Sequence, residues 1–99
     1  MIELNDSNIL IISITERALS INNSDALLDR LKNVAAQNDK NIELDLAAVE
    51  IIDSSAIAML VKFVQHLSGT RRTITMKNVR PEIMQTFKVL RLNAFFKFK

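Results

Sequence analysis

The chain has 99 residues, 48% of them hydrophobic and 24% charged, with one Gly and one Pro, so it is too short for two cores and too apolar for a disordered tail. We therefore predict one globular domain over residues 1–99. The absence of Cys excludes disulfides, thiolate metal sites and thiol catalysis, and the single His excludes a multi-histidine metal site within one chain. Five Phe without Trp or Tyr offer little for base stacking, so we expect no nucleic-acid partner, and no cofactor is predicted.

The formal net charge of +2 is unevenly distributed. Residues 1–70 carry five Lys/Arg and ten Asp/Glu, a net of −5, whereas residues 71–99 carry eight Lys/Arg and one Glu, a net of +7. A solvated basic face explains this split, and so does an anionic partner such as a lipid head group or an acidic protein. The first residues have no signal-peptide pattern and no apolar run approaches the roughly 20 residues of a membrane span. We therefore expect a cytoplasmic protein without membrane insertion.

The first half of the chain predicts strands, a loop and a helix. Residues 2–4 are a candidate short strand, and residues 9–15 are a β-branched run that predicts a strand buried on both faces. Residues 17–23 are polar and predict a loop. Apolar residues then recur at helical spacing over residues 24–37, with Asn22 or Ser24 as the N-cap.

The second half continues the alternation. Residues 42–46 alternate as in a strand, and residues 49–52 form an apolar connection. A long helix is predicted from Asp53-Ser54-Ser55 to Leu67, and a strand over residues 73–76. A further helix is predicted to start at Pro81 and to end at Asn93, which can adopt a left-handed conformation. Residues 94–98 form either a last strand or a helical turn. This order predicts an α/β fold, a small mixed sheet with helices packed on it.

The helix after Asp53 has two predicted faces. A helical wheel places Ile57, Leu60, Val61, Val64 and Leu67 on the core side, with Phe63 at the border. Ser55, Met59, Lys62 and His66 fall on the outer side. An apolar Met59 beside a serine at a helix N-terminus predicts a protein-docking surface, although a single exposed Met is also common.

Ser55 is a poor candidate for a catalytic nucleophile. Its activation requires a base within hydrogen-bond reach, and His66 is the only histidine. In a continuous helix, eleven residues separate the two by about 16 Å. We therefore expect a binding protein and not an enzyme.

The order of elements, with Asp53-Ser54-Ser55 opening the second long helix, resembles a STAS domain, and in particular the bacterial anti-sigma factor antagonists. The signature of that branch is Asp-Ser-Ser/Thr-Gly followed by an apolar helix. The resemblance implies a STAS-like fold. It also implies that Ser55 is phosphorylated by a protein serine kinase, often itself the anti-sigma factor, and dephosphorylated by a PP2C-type phosphatase.

The predicted partner-binding residues surround Ser55: Asp53, Ser54, Ala56, Ala58, Met59 and Lys62. The sequence departs from the family pattern at Ala56 and Ala58, where Gly is frequent. Alanine favours a helix over glycine by up to about 1 kcal/mol, so a stiffer helix start is expected.

Two other functions remain open. A constitutive STAS subunit of a phospholipid-transport ATPase would fit the basic charge of residues 71–99. Nucleic-acid binding through the basic residues of that segment is less well supported, because it lacks stacking aromatics and a recognition motif.

Overall fold

A computed structural model describes the backbone of residues 2–4 and all of residues 8–99. The strands are β1 (Ile2–Leu4), β2 (Ile9–Ser13), β3 (Ala18–Leu19), β4 (Asn41–Asp45), β5 (Ile51–Ile52), β6 (Ile74–Lys77) and β7 (Lys97–Phe98). The helices are α1 (Ser24–Ala36), α2 (Ser54–His66) and α3 (Pro81–Val89). No helix in these described ranges is long and apolar enough to cross a membrane.

The main sheet has the strand order β1–β2–β4–β6–β7. Strands β2, β4, β6 and β7 are parallel, and β1 pairs antiparallel with β2. Parallel neighbours cannot be joined by a tight turn, so each pair needs a crossover, and α1, α2 and α3 lie in the three crossovers. This is the predicted α/β fold with a mixed sheet.

The sheet buries matched rows of side chains on one face. Leu10 pairs with Ile42, which pairs with Ile74, and all three are buried. On the other face, Ile9 and Ile11 are only partly buried, so the prediction that this strand is buried on both faces was wrong. Ile11 is in register with Glu43 of β4 and, across it, with Thr75 of β6, so this face of the sheet is polar beyond β2.

The predicted helices are largely confirmed, with corrections at their ends. The N-cap of α1 is Asn23 and not Asn22 or Ser24. Helix α3 begins at Pro81 as predicted, but its left-handed C-terminal residue is Arg91 (φ 59°) and not Asn93. The N–H of Leu92 donates to the carbonyl of Phe87, which forms the wider bond of a Schellman motif.

The sequence did not predict the small second sheet, in which β3 pairs with β5. Both strands have only two residues, so neither shows a periodic pattern. They lie in the segments predicted as a polar loop and an apolar connection. Their pairing brings the loop before α1 beside the residues that precede α2.

Candidate functional site

Asp53 joins the start of α2 to the loop that precedes α1. Its Oδ1 accepts a hydrogen bond from the backbone N–H of Ala56 at 2.9 Å, which caps the helix. Its Oδ2 accepts one from the backbone N–H of Ile21 at 3.0 Å. The N–H of Asp53 donates to the carbonyl of Leu19 at 3.0 Å. Asp53 therefore fixes the start of the helix against the loop with both of its carboxylate oxygens.

The loop is also closed from its own side by Asn23. The Oδ1 of this residue accepts a hydrogen bond from the N–H of Ser20, and its Nδ2 donates to the carbonyl of Ala18, both at 2.9 Å. An ion pair between Arg17 and Glu50 (3.0 Å) spans the same two segments. The surface beside α2 is thus held by hydrogen bonds from several residues.

The two serines occupy the first turn of α2. Ser54 is exposed and Ser55 is partly buried. The N–H groups of the first helical residues have no intrahelical acceptor, and the helix dipole makes this end electropositive. A negative group added to either serine would meet this favourable field, offset in part by the Asp53 carboxylate at the same helix end.

Met59 and Ala56 do not belong to the surface, contrary to the prediction. Met59 is 3% exposed and Ala56 is fully buried, so neither side chain is available to a partner. The physical reason is that α2 packs against α1 as well as belonging to the common core, so it buries a wider arc than the single stripe assumed on the wheel. Phe63, placed at the border, is fully buried for the same reason.

Of the predicted partner-binding residues on α2, Ser54, Ala58 and Lys62 are exposed. The apolar component comes instead from two isoleucines outside the helix. Ile21, in the loop held by Asp53, is 71% exposed, and Ile51, in β5, is 56% exposed. An isolated isoleucine inside a polar loop was the available sequence signal, but its position beside α2 depends on the unpredicted β3–β5 pairing.

The distance between Ser55 and His66 agrees with the sequence argument. Both residues belong to the continuous helix α2, so they are separated by about 16 Å along its axis. They cannot form a nucleophile–base pair within one chain. The geometry around Ser55 is that of an anchored and accessible helix start.

Known structures with this fold include anti-sigma factor antagonists. One from Mycobacterium paratuberculosis is 18% identical, with a TM-score of 0.84 over 99% of this chain and 81% of that chain. A Thermotoga maritima protein described as a candidate antagonist is also 18% identical, with a TM-score of 0.83 over 99% of this chain and 83% of that chain. The anti-sigma factor antagonist SpoIIAA in its unphosphorylated form is 13% identical, with a TM-score of 0.72 over 100% of this chain and 86% of that chain.

The comparison with curated proteins gives no match in sequence. The family assignment therefore depends on the sequence model of the family and not on a close relative. The model of the STAS domain matches residues 3–99, nearly the whole length. The chain belongs to the STAS domain family.

Proposed function

We propose that this chain is a regulatory STAS module that acts like an anti-sigma factor antagonist in a partner-switching system. In its unmodified form it binds a protein serine kinase that also serves as the anti-sigma factor. The kinase phosphorylates Ser55, the complex dissociates, and a PP2C-type phosphatase restores the unmodified form. The observation that carries the proposal is the serine pair at an accessible helix start anchored by Asp53, in a chain of this family.

The proposed docking surface consists of Ile21, Ile51, Ser54, Ala58 and Lys62, around Ser55. Two well-exposed isoleucines supply the apolar area that a protein partner can cover. Both belong to segments that Asp53 and the β3–β5 pairing hold in place, so little ordering would be needed on binding. The buried methyl of Ala56 presents no obstacle to a partner, although the family often has Gly there.

Phosphorylation would change this surface chemically and leave the fold intact. A phosphate on Ser55 adds about −1.5 to −2 charges at pH 7. The N-terminus of α2 favours that charge, typically by about 0.3–1 kcal/mol at an exposed site. A partner that covers the isoleucines would instead have to bury the dianion without a matching cation. The structure of SpoIIAA is that of its unphosphorylated form, which supports phosphorylation as a regulated event in this fold.

The test is phosphorylation with ATP by protein serine kinases of the source organism, followed by mass spectrometry and binding measurements. We expect phosphate on Ser55 in the wild type and in Ser54→Ala, and none in Ser55→Ala, which should still bind the kinase. Ser55→Asp should keep its melting temperature and bind weakly. Ser68→Asp is the matched control, because it places the same charge on an exposed serine beyond the other end of α2.

Phosphate on Ser54 alone, or equal binding by Ser55→Asp and the wild type, would overturn the proposed switch. Affinity purification of the intact chain examines the alternative function. Recovery of subunits of a phospholipid-transport ATPase, in place of a soluble kinase, would favour a constitutive STAS subunit.

A further inference from the structure

A groove of about 300 Å³ lies at the opposite end of α2 from the serine pair. Its apolar lining comes from Val64 and Leu67 of the α2 end, from Ile74 at the start of β6, and from Phe95. Phe95 is 40% exposed, so part of its ring is available to a ligand in the groove. The volume falls at the small end of the range of about 300–1,000 Å³ for ligand sites.

The groove is lined by cations and by no acidic residue. Arg71 and Lys97 are exposed, and neither forms an ion pair with any residue in the part of the chain that the structure describes. Arg72 differs, because its guanidinium donates to the carbonyls of Lys40 and Ala35, both at 2.7 Å. Two cations are therefore available to a ligand, and a third is committed to the fold.

We propose that this groove binds a small amphiphilic anion, namely an alkyl chain that ends in a carboxylate. The alkyl chain would cover Phe95 and the aliphatic side chains, and the carboxylate would pair with Arg71 and Lys97. Charge complementarity excludes a cationic ligand, and the apolar lining argues against a bare inorganic anion. The concave shape and small volume favour a single acyl chain over the flat surface of a bilayer.

The proposed ligand site is independent of the proposed phosphorylation switch. Helix α2 spans residues 54–66, so its two ends are separated by about 18 Å along the axis. No residue of the docking surface lines the groove. A binding experiment that contains neither kinase nor ATP therefore tests the groove alone.

The experiment is a titration of the ¹⁵N-labelled chain with octanoate, followed by amide chemical shifts. We expect saturable shifts confined to the residues around the groove, at octanoate concentrations below micelle formation. Acetate carries the charge without the chain, and 1-octanol carries the chain without the charge. Both should bind more weakly than octanoate. Octanoate binding should also weaken with added salt, because its carboxylate contacts exposed cations.

Two variants with a matched backbone test the role of the cation. Arg71 and Arg91 both have positive φ, 64° and 59°, and asparagine tolerates this conformation. Arg71→Asn should weaken octanoate binding by about two- to fivefold, the range for an exposed ion pair, and Arg91→Asn should leave it unchanged. Lys97→Gln should resemble Arg71→Asn.

Several outcomes would overturn the proposal. These are an absence of saturable shifts, shifts centred outside the groove, equal binding of 1-octanol and octanoate, or equal loss in the two arginine variants. Sedimentation with phosphatidylglycerol vesicles tests the competing occupant. Binding to vesicles without binding to octanoate would assign the basic surface to a membrane and contradict a site for a single acyl chain.

Discussion

Replacement of Asp53 by alanine should destabilise the fold and loosen the docking surface together. The variant loses the helix cap to the N–H of Ala56 and the hydrogen bond from the N–H of Ile21. Loss of an N-cap costs about 0.5–2 kcal/mol, and loss of a hydrogen bond to a charged group costs about 1.5–3 kcal/mol. Because Asp53 is only partly buried, water replaces part of what is lost, and we expect a total of about 2–3 kcal/mol.

The free energy of unfolding should be measured by urea denaturation, together with the melting temperature. For a domain of this size, each kcal/mol lowers the melting temperature by about 4–8 °C. Amide hydrogen exchange gives the local readout, and the N–H of Ile21 and of Ala56 should lose protection in the variant. Asp53→Asn retains one side-chain oxygen as an acceptor but not both, so its loss of unfolding free energy should lie between those of the wild type and Asp53→Ala.

Asp39→Ala is the matched control, because Asp39 is exposed and lies in the turn after α1. Its effect should stay within about 0.5 kcal/mol of the wild type. If Asp53→Ala is no more destabilising than Asp39→Ala, or if Ile21 exchanges at an unchanged rate, Asp53 does not connect the loop to the helix. The proposal that Asp53 holds the proposed docking surface in place would then be refuted.

Two further predictions concern the core and the anchoring of α1. Met59→Ala should lower the free energy of unfolding by about 2–5 kcal/mol, as expected for a buried side chain. Lys62→Ala, on the exposed side of α2, should change it by less than about 0.5 kcal/mol. If urea denaturation shows similarly small effects for both variants, Met59 is not part of the core. Arg72→Ala should lower the free energy of unfolding by about 1.5–3 kcal/mol, because it removes the hydrogen bonds to the carbonyls of Ala35 and Lys40. Arg72→Lys should restore only part of this free energy, since an ammonium cannot reproduce the planar guanidinium. Full recovery of the melting temperature by the lysine variant would contradict the role of the two guanidinium N–H groups that bond the two carbonyls.

The sequence by itself determined the long elements and their order. The core helices have a clear apolar period, and α1 and α2 begin and end within a residue or so of the predicted positions. Pro81 predicted the start of α3, and the run Asp53-Ser54-Ser55 predicted the start of α2. These features are local, since they depend on side-chain spacing and on hydrogen bonds between near neighbours, so they can be predicted without the tertiary structure.

Only the tertiary structure decided which side chains are exposed around the serine pair. Met59 is buried because a second helix lies against α2, and a wheel drawn from one helix contains no information about its neighbour. Ile21 and Ile51 lie beside the serine pair because two-residue strands pair across more than 30 positions of sequence. The basic groove likewise combines the end of α2 with Phe95 and Lys97. Contacts between distant segments carry no periodic signal, and that is why the docking surface and the groove were beyond sequence analysis.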